Sequence, residues 1–161
     1  MLEIRKIITA DEPEVWKIIK AVIASGDTYV FSPTSSEEKM LQYWRSTDKE
    51  TYVAITENKI VGTFFIKANQ IDLGSHVANA GFMVAPEASG KGIGRAMADF
   101  ALKEAKTLSY SAMQFNFVVK SNVAAVKLWL SLGFEIIGEI PEAFNHTEKG
   151  LVNALIMYRK L

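Results

Sequence analysis

The sequence predicts an α/β (α+β) domain, a mixed β-sheet flanked by helices, with its elements in the order βααβββαβαββ. Three observations carry that prediction. Apolar residues between Val15 and Ile23 recur at helical spacing; "TYVAI" and "IVGTFFIKA" flank "ENK" as a hairpin; from Ile93 onward, helical and strand-like segments alternate.

Taken in order, Leu2, Ile4 and Lys6 set against Glu3, Arg5 and Ile7 give the rough alternation of an opening strand. Thr9 and Glu12 have capping-box spacing and Pro13 suits a first turn, so a helix is expected through Val15, Trp16, Ile18, Ile19, Val22 and Ile23 until Gly26. The polar loop "SPTSSEEK" leads to a short helix from Glu37 to Arg45. The hairpin follows, then a strand "VANAGFMVA" that Pro86 ends. Met97, Phe100, Ala101, Ala105 and Leu108 form a helical stripe. "AMQFNFVV" is a strand, "NVAAVKLWLSL" a helix, and "GFEIIGEI" and "LVNALIMYRKL" are the last two strands. The helix joining "VANAGFMVA" to "AMQFNFVV" makes them parallel and adjacent.

Composition bounds the function. At 161 residues, with 49% apolar and 22% charged, residues 1–161 are expected to form one domain. Eighteen basic and eighteen acidic residues cancel, so no global field recruits nucleic acid or an anionic membrane. With no cysteine, disulfides, thiolate catalysis and cysteine-built zinc sites are excluded, and no metal is implied. The early segment "VWKIIKAVIASG" is interrupted by Lys17 and Lys20 and is too short to span a bilayer. A cytoplasmic protein is expected.

"SGKGIGR", Ser89 to Arg95, places glycines at alternate positions before a helix. A P-loop would need glycine at Ala85 and Ser or Thr at Gly92; a dinucleotide fingerprint would need glycine at Arg95 or Met97. Both fail. Two alternatives remain: an anion seat of consecutive N–H groups at a helix N-terminus, or a tight turn whose glycines only satisfy positive φ.

Two asparagines sit inside strands, where the residue is depleted: Asn79 in "VANAGFMV" and Asn116 in "MQFNFVV". Alternation sets Asn79 with Gly81 and Met83, and Asn116 opposite Phe115 and Phe117. On parallel neighbouring strands the two amides would face one cleft; a bulge or an amide pairing is the alternative. Asn122, before "VAAV", has the position of a helix N-cap.

Residues 82–95, "FMVAPEASGKGIGR", followed by a helix, a strand and "NVAAVKLWLSLGF", resemble the acetyl-CoA-binding half of the GNAT N-acetyltransferases. The pattern is R/Q-x-x-G-x-G/A, helix, strand, then N-x-x-A-x-x-hydrophobic-aromatic-x-x-x-G-F. Gly92 and Gly94 match the glycines; Asn122, Ala125, Trp129, Gly133 and Phe134 match the second part. A narrower similarity, in "GTFFIKAN", "SHVANAGFMV", "FNFVVKSN" and "IGEIPEA", is to the acetyltransferases that detoxify proline analogues such as azetidine-2-carboxylate.

The resemblance implies a centrally splayed sheet and acetyl-CoA as co-substrate. Its diphosphate would lie on the N–H groups of Gly90, Lys91, Gly92, Ile93, Gly94 and Arg95, beside Ser89. Its acyl arm would run along Phe82, Met83 and Val84 towards Asn122 and Trp129. An N–H at Met83 or Val84 would polarise the thioester carbonyl. Asn79 and Asn116 would hold the carboxylate of a small amine, an amino acid or proline analogue, with Asn122 near the thioester. Trp44, with Tyr43, would wall the acceptor pocket, and a homodimer is the family habit. Ser89 departs from Arg or Gln, and Trp129 stands where many members carry a tyrosine acid; an indole N–H donates hydrogen bonds but is no useful acid. Attack would be direct, with no acyl-enzyme. No general base is assigned among His76, His146, Glu142 and Asp72. The alternatives are a peptide or protein N-acetyltransferase and a non-catalytic acyl-CoA-binding module.

Overall fold

A computed structural model describes residues 1–161. Its strands are β1 (Glu3–Lys6), β2 (Lys49–Thr56), β3 (Lys59–Ala68), β4 (Val77–Val84), β5 (Ala112–Val119), β6 (Glu135–His146) and β7 (Gly150–Lys160). Its helices are α1 (Glu12–Ala24), α2 (Glu37–Trp44), α3 (Ile93–Thr107) and α4 (Val123–Ser131). The order is the expected βααβββαβαββ. The strands form one sheet in the order β1-β2-β3-β4-β5-β7-β6, in which only β4 and β5 run parallel.

Neighbouring phenylalanines of β3 show how the sheet separates two layers. Phe64 stacks between Tyr52 and Phe82 and meets Phe100 of α3 edge-on. Phe65 points to the other face, against Trp44 and Tyr43 of α2. This is the period-2 alternation of a strand with both faces covered. Glu57 and Asn58, both at positive φ (50° and 62°), make the two-residue β2–β3 turn. No helix is long and apolar enough to cross a membrane.

Two element boundaries differ from the sequence expectation. The Thr9–Glu12 capping pair does not start α1; residues Thr9–Asp11 form a 3-10 turn instead. There Asp11 accepts the Ile8 N–H at 2.9 Å and pairs with Arg5 at 2.7 and 3.0 Å, a more strongly bound partner than a threonine hydroxyl. β6 runs past Ile140 and through Pro141 to His146. Proline is tolerated because β6 is an edge strand, and the register with β7 slips between Ile140 and Phe144.

Candidate active site

β4 and β5 pair only at Val77–Ala112 and Ala78–Met113, and beyond these residues they diverge. Two local features open the gap. Between Phe115 and Val118, β5 slips by a residue against β7, a bulge that holds Asn116 and Phe117 and bends the strand. Three rings then wedge the strands apart: the centroid of Trp129 lies 4.5 Å from that of Phe115 and 5.2 Å from that of Phe82. A cavity of about 240 Å³ occupies the splay.

The free edge of β4 faces this cavity with alternate peptide groups. The Phe82 N–H donates to Tyr29 Oη, whereas the Ala85 N–H is spent on Val61 of β3. By strand alternation the Val84 N–H faces the cleft and that of Met83 faces β3. Of the two amides expected near a thioester carbonyl, Met83 is therefore corrected: its amide belongs to the ladder and its side chain is buried.

Asn79, Asn116 and Asn122 all line the cavity. Asn79 Oδ1 accepts the Ala80 N–H at 2.8 Å. Asn116 lies in a chain of amides: Gln114 Nε2 donates to its Oδ1 at 3.0 Å, and its Nδ2 donates to Asn69 Oδ1 at 2.6 Å. Asn122 caps α4, accepting the Ala125 N–H at 3.3 Å. Cap, bulge and cleft positions thus coincide rather than compete.

The opposite wall is aromatic and departs from expectation at Trp44. That indole is fully buried, donates to Thr63 Oγ1 at 2.9 Å and does not line the cavity. An apolar ring whose only polar group is met inside the core has no reason to face the cleft. Tyr43, one residue earlier on α2, does line it, together with Phe65 of β3 and Tyr29 and Phe31 of the α1–α2 loop. Behind these rings the nearly buried Lys49 ammonium sits 4.1 Å from the Tyr43 centroid and 5.2 Å from that of Phe65. Burial pulls the Lys49 pKa down and pushes the Tyr29 and Tyr43 hydroxyls up, so both phenols remain protonated near neutrality. The Ser46 hydroxyl and Lys67 hold the Asp48 carboxyl well below the usual range. No charged residue lines the cavity itself. His146 is buried, its Nδ1 accepting the Glu148 and Lys149 amides at 3.1 and 3.2 Å; like His76, Glu142 and Asp72, it is not on the lining.

At the other end of β4, Gly90 and Gly92 have φ of 76° and 80°, as a tight turn requires. A Cβ built on either would meet no heavy atom within 4 Å, so the surface before the turn is open. Ala96 N–H to Gly92 O, at 3.0 Å, is the first α3 bond, which leaves the amides of Ile93, Gly94 and Arg95 without helical acceptors. Lys91 and Arg95 are exposed beside them, Arg95 also reaching Ser131 Oγ at 3.0 Å. Ser89 is exposed, and its own N–H is taken by Pro86 O at 3.2 Å. Donors, positive dipole and basic side chains together make a seat for an anionic group.

The Acetyltransferase (GNAT) family profile matches residues 13–134. The chain belongs to the GNAT acetyltransferase family. The GCN5-related N-acetyltransferase from Kribbella flavida shares 36% identity with it at a TM-score of 0.94, over 99% of this chain and 98% of that one. The phosphinothricin acetyltransferase from Sinorhizobium meliloti, solved in complex with AcCoA, shares its fold at a TM-score of 0.87 and 20% identity, over 99% of this chain and 88% of that one. N-acetyltransferase aca1 of Schizosaccharomyces pombe is 36% identical over 87 residues, 54% of this chain and 42% of that protein. Protein SPT10 of Saccharomyces cerevisiae is 29% identical over 87 residues, 54% of this chain and 14% of that protein. The chain thus spans less than half the length of these curated relatives.

Tyr29, Phe31 and Asn69 were not legible as site residues. The first two are a pair of aromatics in the polar segment "DTYVFSP", which in sequence look like loop residues packed on the core, and they do pack on it. Phe65 reads from sequence as core, and it is buried, yet it also lines the cavity.

Proposed function

We propose that this GNAT protein transfers an acetyl group from acetyl-CoA to the amine of a small molecule, an amino acid or proline analogue. The observation that carries the reading is the cavity: small, aromatic on one wall, uncharged, and supplied with the amides of Asn79, Asn116 and Asn122. A lysine side chain would call for acidic lining, and the cavity has none. A compact amine with an apolar body suits the rings, and its carboxylate suits the side-chain amide donors.

The turn at Gly90–Arg95 fits a diphosphate by its donors and its open approach, with Lys91 and Arg95 adding charge and Ser89 contributing only its hydroxyl. Acetyl-CoA supplies the activated acyl group. The Val84 N–H, turned away from β3 by strand parity, would polarise the thioester carbonyl, and the cavity-lining Phe82 and Trp129 would bound the acyl end. The amine nitrogen attacks that carbonyl directly, the C–S bond breaks, and the thiolate leaves with the CoA. With no carboxylate or imidazole on the lining, the amine proton passes to water, and rate comes from orientation and desolvation. Acetylating a toxic proline analogue would make this a cytoplasmic detoxification enzyme.

The test follows CoA release with a thiol reagent over azetidine-2-carboxylate, proline analogues, common amino acids, polyamines and short peptides. The chain has no cysteine, so every thiol detected is product. Turnover of cyclic or α-amino acids is expected. Asn79→Ala and Asn116→Ala should each raise the acceptor KM about tenfold, as loss of a hydrogen bond to a charged group predicts. Acetyl-CoA affinity should stay unchanged. Polyamine or peptide turnover with α-amino acids untouched would replace the reading with its alternatives.

A further inference from the structure

Tyr29 does more than line the cleft. It lies in the α1–α2 loop, 53 residues from its hydrogen-bond partner, and its hydroxyl engages both polar groups of one peptide residue: it donates to Phe82 O at 2.6 Å and accepts the Phe82 N–H at 2.9 Å. Those are groups that β5 would have paired had the two strands stayed together past Ala78. The phenol therefore seals a strand edge that the splay exposes, where unpaired peptide groups are costly to bury. The ring is held as firmly as the hydroxyl. Phe31 lies against it at 6.2 Å, nearly parallel, and Trp44 meets it edge-on at 6.3 Å. Gly81 has no side chain to spare, since a Cβ there would stand 2.7 Å from the Phe65 ring and 3.5 Å from Tyr29 Oη.

Beyond this wall lies a second cavity, of about 230 Å³, between the loop and the outer end of β6. Its far side is made by Gly26, Pro33, Ala143 and Phe144 and carries no charge. Tyr29, Val30 and Phe31 line both cavities, so this short segment is their common partition, and Tyr29 is the member pinned to β4. The β6–β7 turn braces it from behind: Thr147 donates its N–H to Gly26 O at 3.3 Å and its hydroxyl to Ser25 O at 3.1 Å.

We propose that Tyr29 is a specificity-determining residue that sets the length of acceptor the enzyme takes, by closing the inner end of the cleft and holding the second cavity apart from it. The inference rests on the splayed cleft being the acceptor site. Removing the ring would join two uncharged volumes and admit amines whose apolar part extends beyond the present wall. Removing only the hydroxyl would release the strand edge but leave the partition standing.

The experiment compares wild type, Tyr29→Phe, Tyr29→Leu and Tyr29→Ala on α-amino acids graded from azetidine-2-carboxylate through leucine and phenylalanine to dipeptides. kcat/KM is measured for each, and acetyl-CoA binding is followed by calorimetry as a sign of an intact fold. In Tyr29→Ala, kcat/KM for the longest acceptors should rise about tenfold relative to the shortest, the discrimination that added methylenes give in an apolar pocket. Tyr29→Leu should shift the order in the same direction by less, and it keeps the test alive if the alanine variant does not fold. Tyr29→Phe should lower all values with their order kept. A uniform fall in both Tyr29→Ala and Tyr29→Leu would overturn the inference, as would a reordering by Tyr29→Phe equal to that by Tyr29→Ala. Wild type inactive on every acceptor, with acetyl-CoA bound, would instead remove the acceptor reading and this inference with it.

Discussion

Past the end of β4 and along its free edge the groups offered to a ligand are main-chain: the amides of Ile93, Gly94 and Arg95 beyond a glycine turn, and the Val84 N–H. In the aromatic wall of the cavity they are side chains: Tyr29, Phe31, Tyr43 and Phe65, drawn from the α1–α2 loop, α2 and β3. The first wall suits a ligand that is always the same, because peptide groups offer a fixed geometry and no choice. The second suits a ligand that varies between related proteins, because each ring is a separate and replaceable choice. The two should therefore fail differently when substituted, the first in cofactor affinity and the second in acceptor selection.

The largest effect is expected on the main-chain wall. Gly92 combines a φ of 80° with open space before it. A β-branched residue there strains the turn and puts a side chain where an anion would approach. Gly92→Val should weaken acetyl-CoA binding about a hundredfold, the loss of two hydrogen bonds to a charged group. Calorimetry with acetyl-CoA checks it, and an affinity within threefold of wild type would show that the turn is not the seat.

Next comes a contrast within the aromatic wall. Tyr43 and Trp44 are consecutive, yet one faces the cleft and the other fills the core. Trp44→Phe gives up the bond to Thr63 and part of the packing against Phe65. It should cost about 2 kcal/mol of stability in urea unfolding while leaving the acceptor ranking alone. Tyr43→Leu should do the reverse, altering acceptor KM with a smaller loss of stability. The contrast breaks if both variants reorder acceptors.

How much of each wall was legible in the sequence follows from the same difference. The main-chain wall is local: Gly90, Gly92, Ile93 and Arg95 are nearly consecutive, and a turn before a helix can be read from a short window. Asn79 and Asn116 were legible because an amide inside a strand is out of place. The aromatic wall is assembled across the chain, and a tyrosine that faces a cavity looks in sequence like one that packs in a core. Thus Trp44 and Tyr43 on α2 read alike in the sequence although only Tyr43 lines the cavity, and Tyr29 does not stand out. Asn69 was missed because it lies just past β3 and acquires its place only when β4 sets β5 and Asn116 within its reach. The parity that separates Val84 from Met83 likewise needed the pairing with β3.

Far from both walls, the Arg5–Asp11 pair ties β1 to the start of α1 and separates stability from function. The Arg5 guanidinium holds the Asp11 carboxyl below its ordinary range, with the Ile8 N–H helping. A depressed folded-state pKa stabilises the fold above the unfolded value, about 4, and this contribution fades as pH falls through the lower folded value. Asp11→Asn should therefore lose about 1 kcal/mol at pH 7, the pair being partly solvent-screened. The gap between the two proteins in Tm should close as the buffer is taken from pH 5 towards pH 2. A gap that stayed constant would mean the charge is not what Asp11 contributes. Acetyl-CoA affinity at pH 7 should be the same in both.

Gly94 gives the smallest effect and the sharpest test of what the main-chain wall consists of. Unlike Gly90 and Gly92 it does not have a positive φ, and it lies in the first turn of α3. A Cβ added there would meet Val84 Cγ2 at 3.8 Å and Leu128 Cδ2 at 3.9 Å, ordinary contacts that point it at β4 and α4. A methyl so placed fills protein space and leaves the neighbouring amides uncovered. Alanine also costs the unfolded chain conformational freedom that glycine retains. Gly94→Ala should then stabilise the protein by about 0.5–1 kcal/mol and leave acetyl-CoA affinity unchanged. If affinity fell as it should in Gly92→Val, the ligand would have to approach α3 on the side that faces Leu128. The seat would then lie between the two helices rather than over the turn.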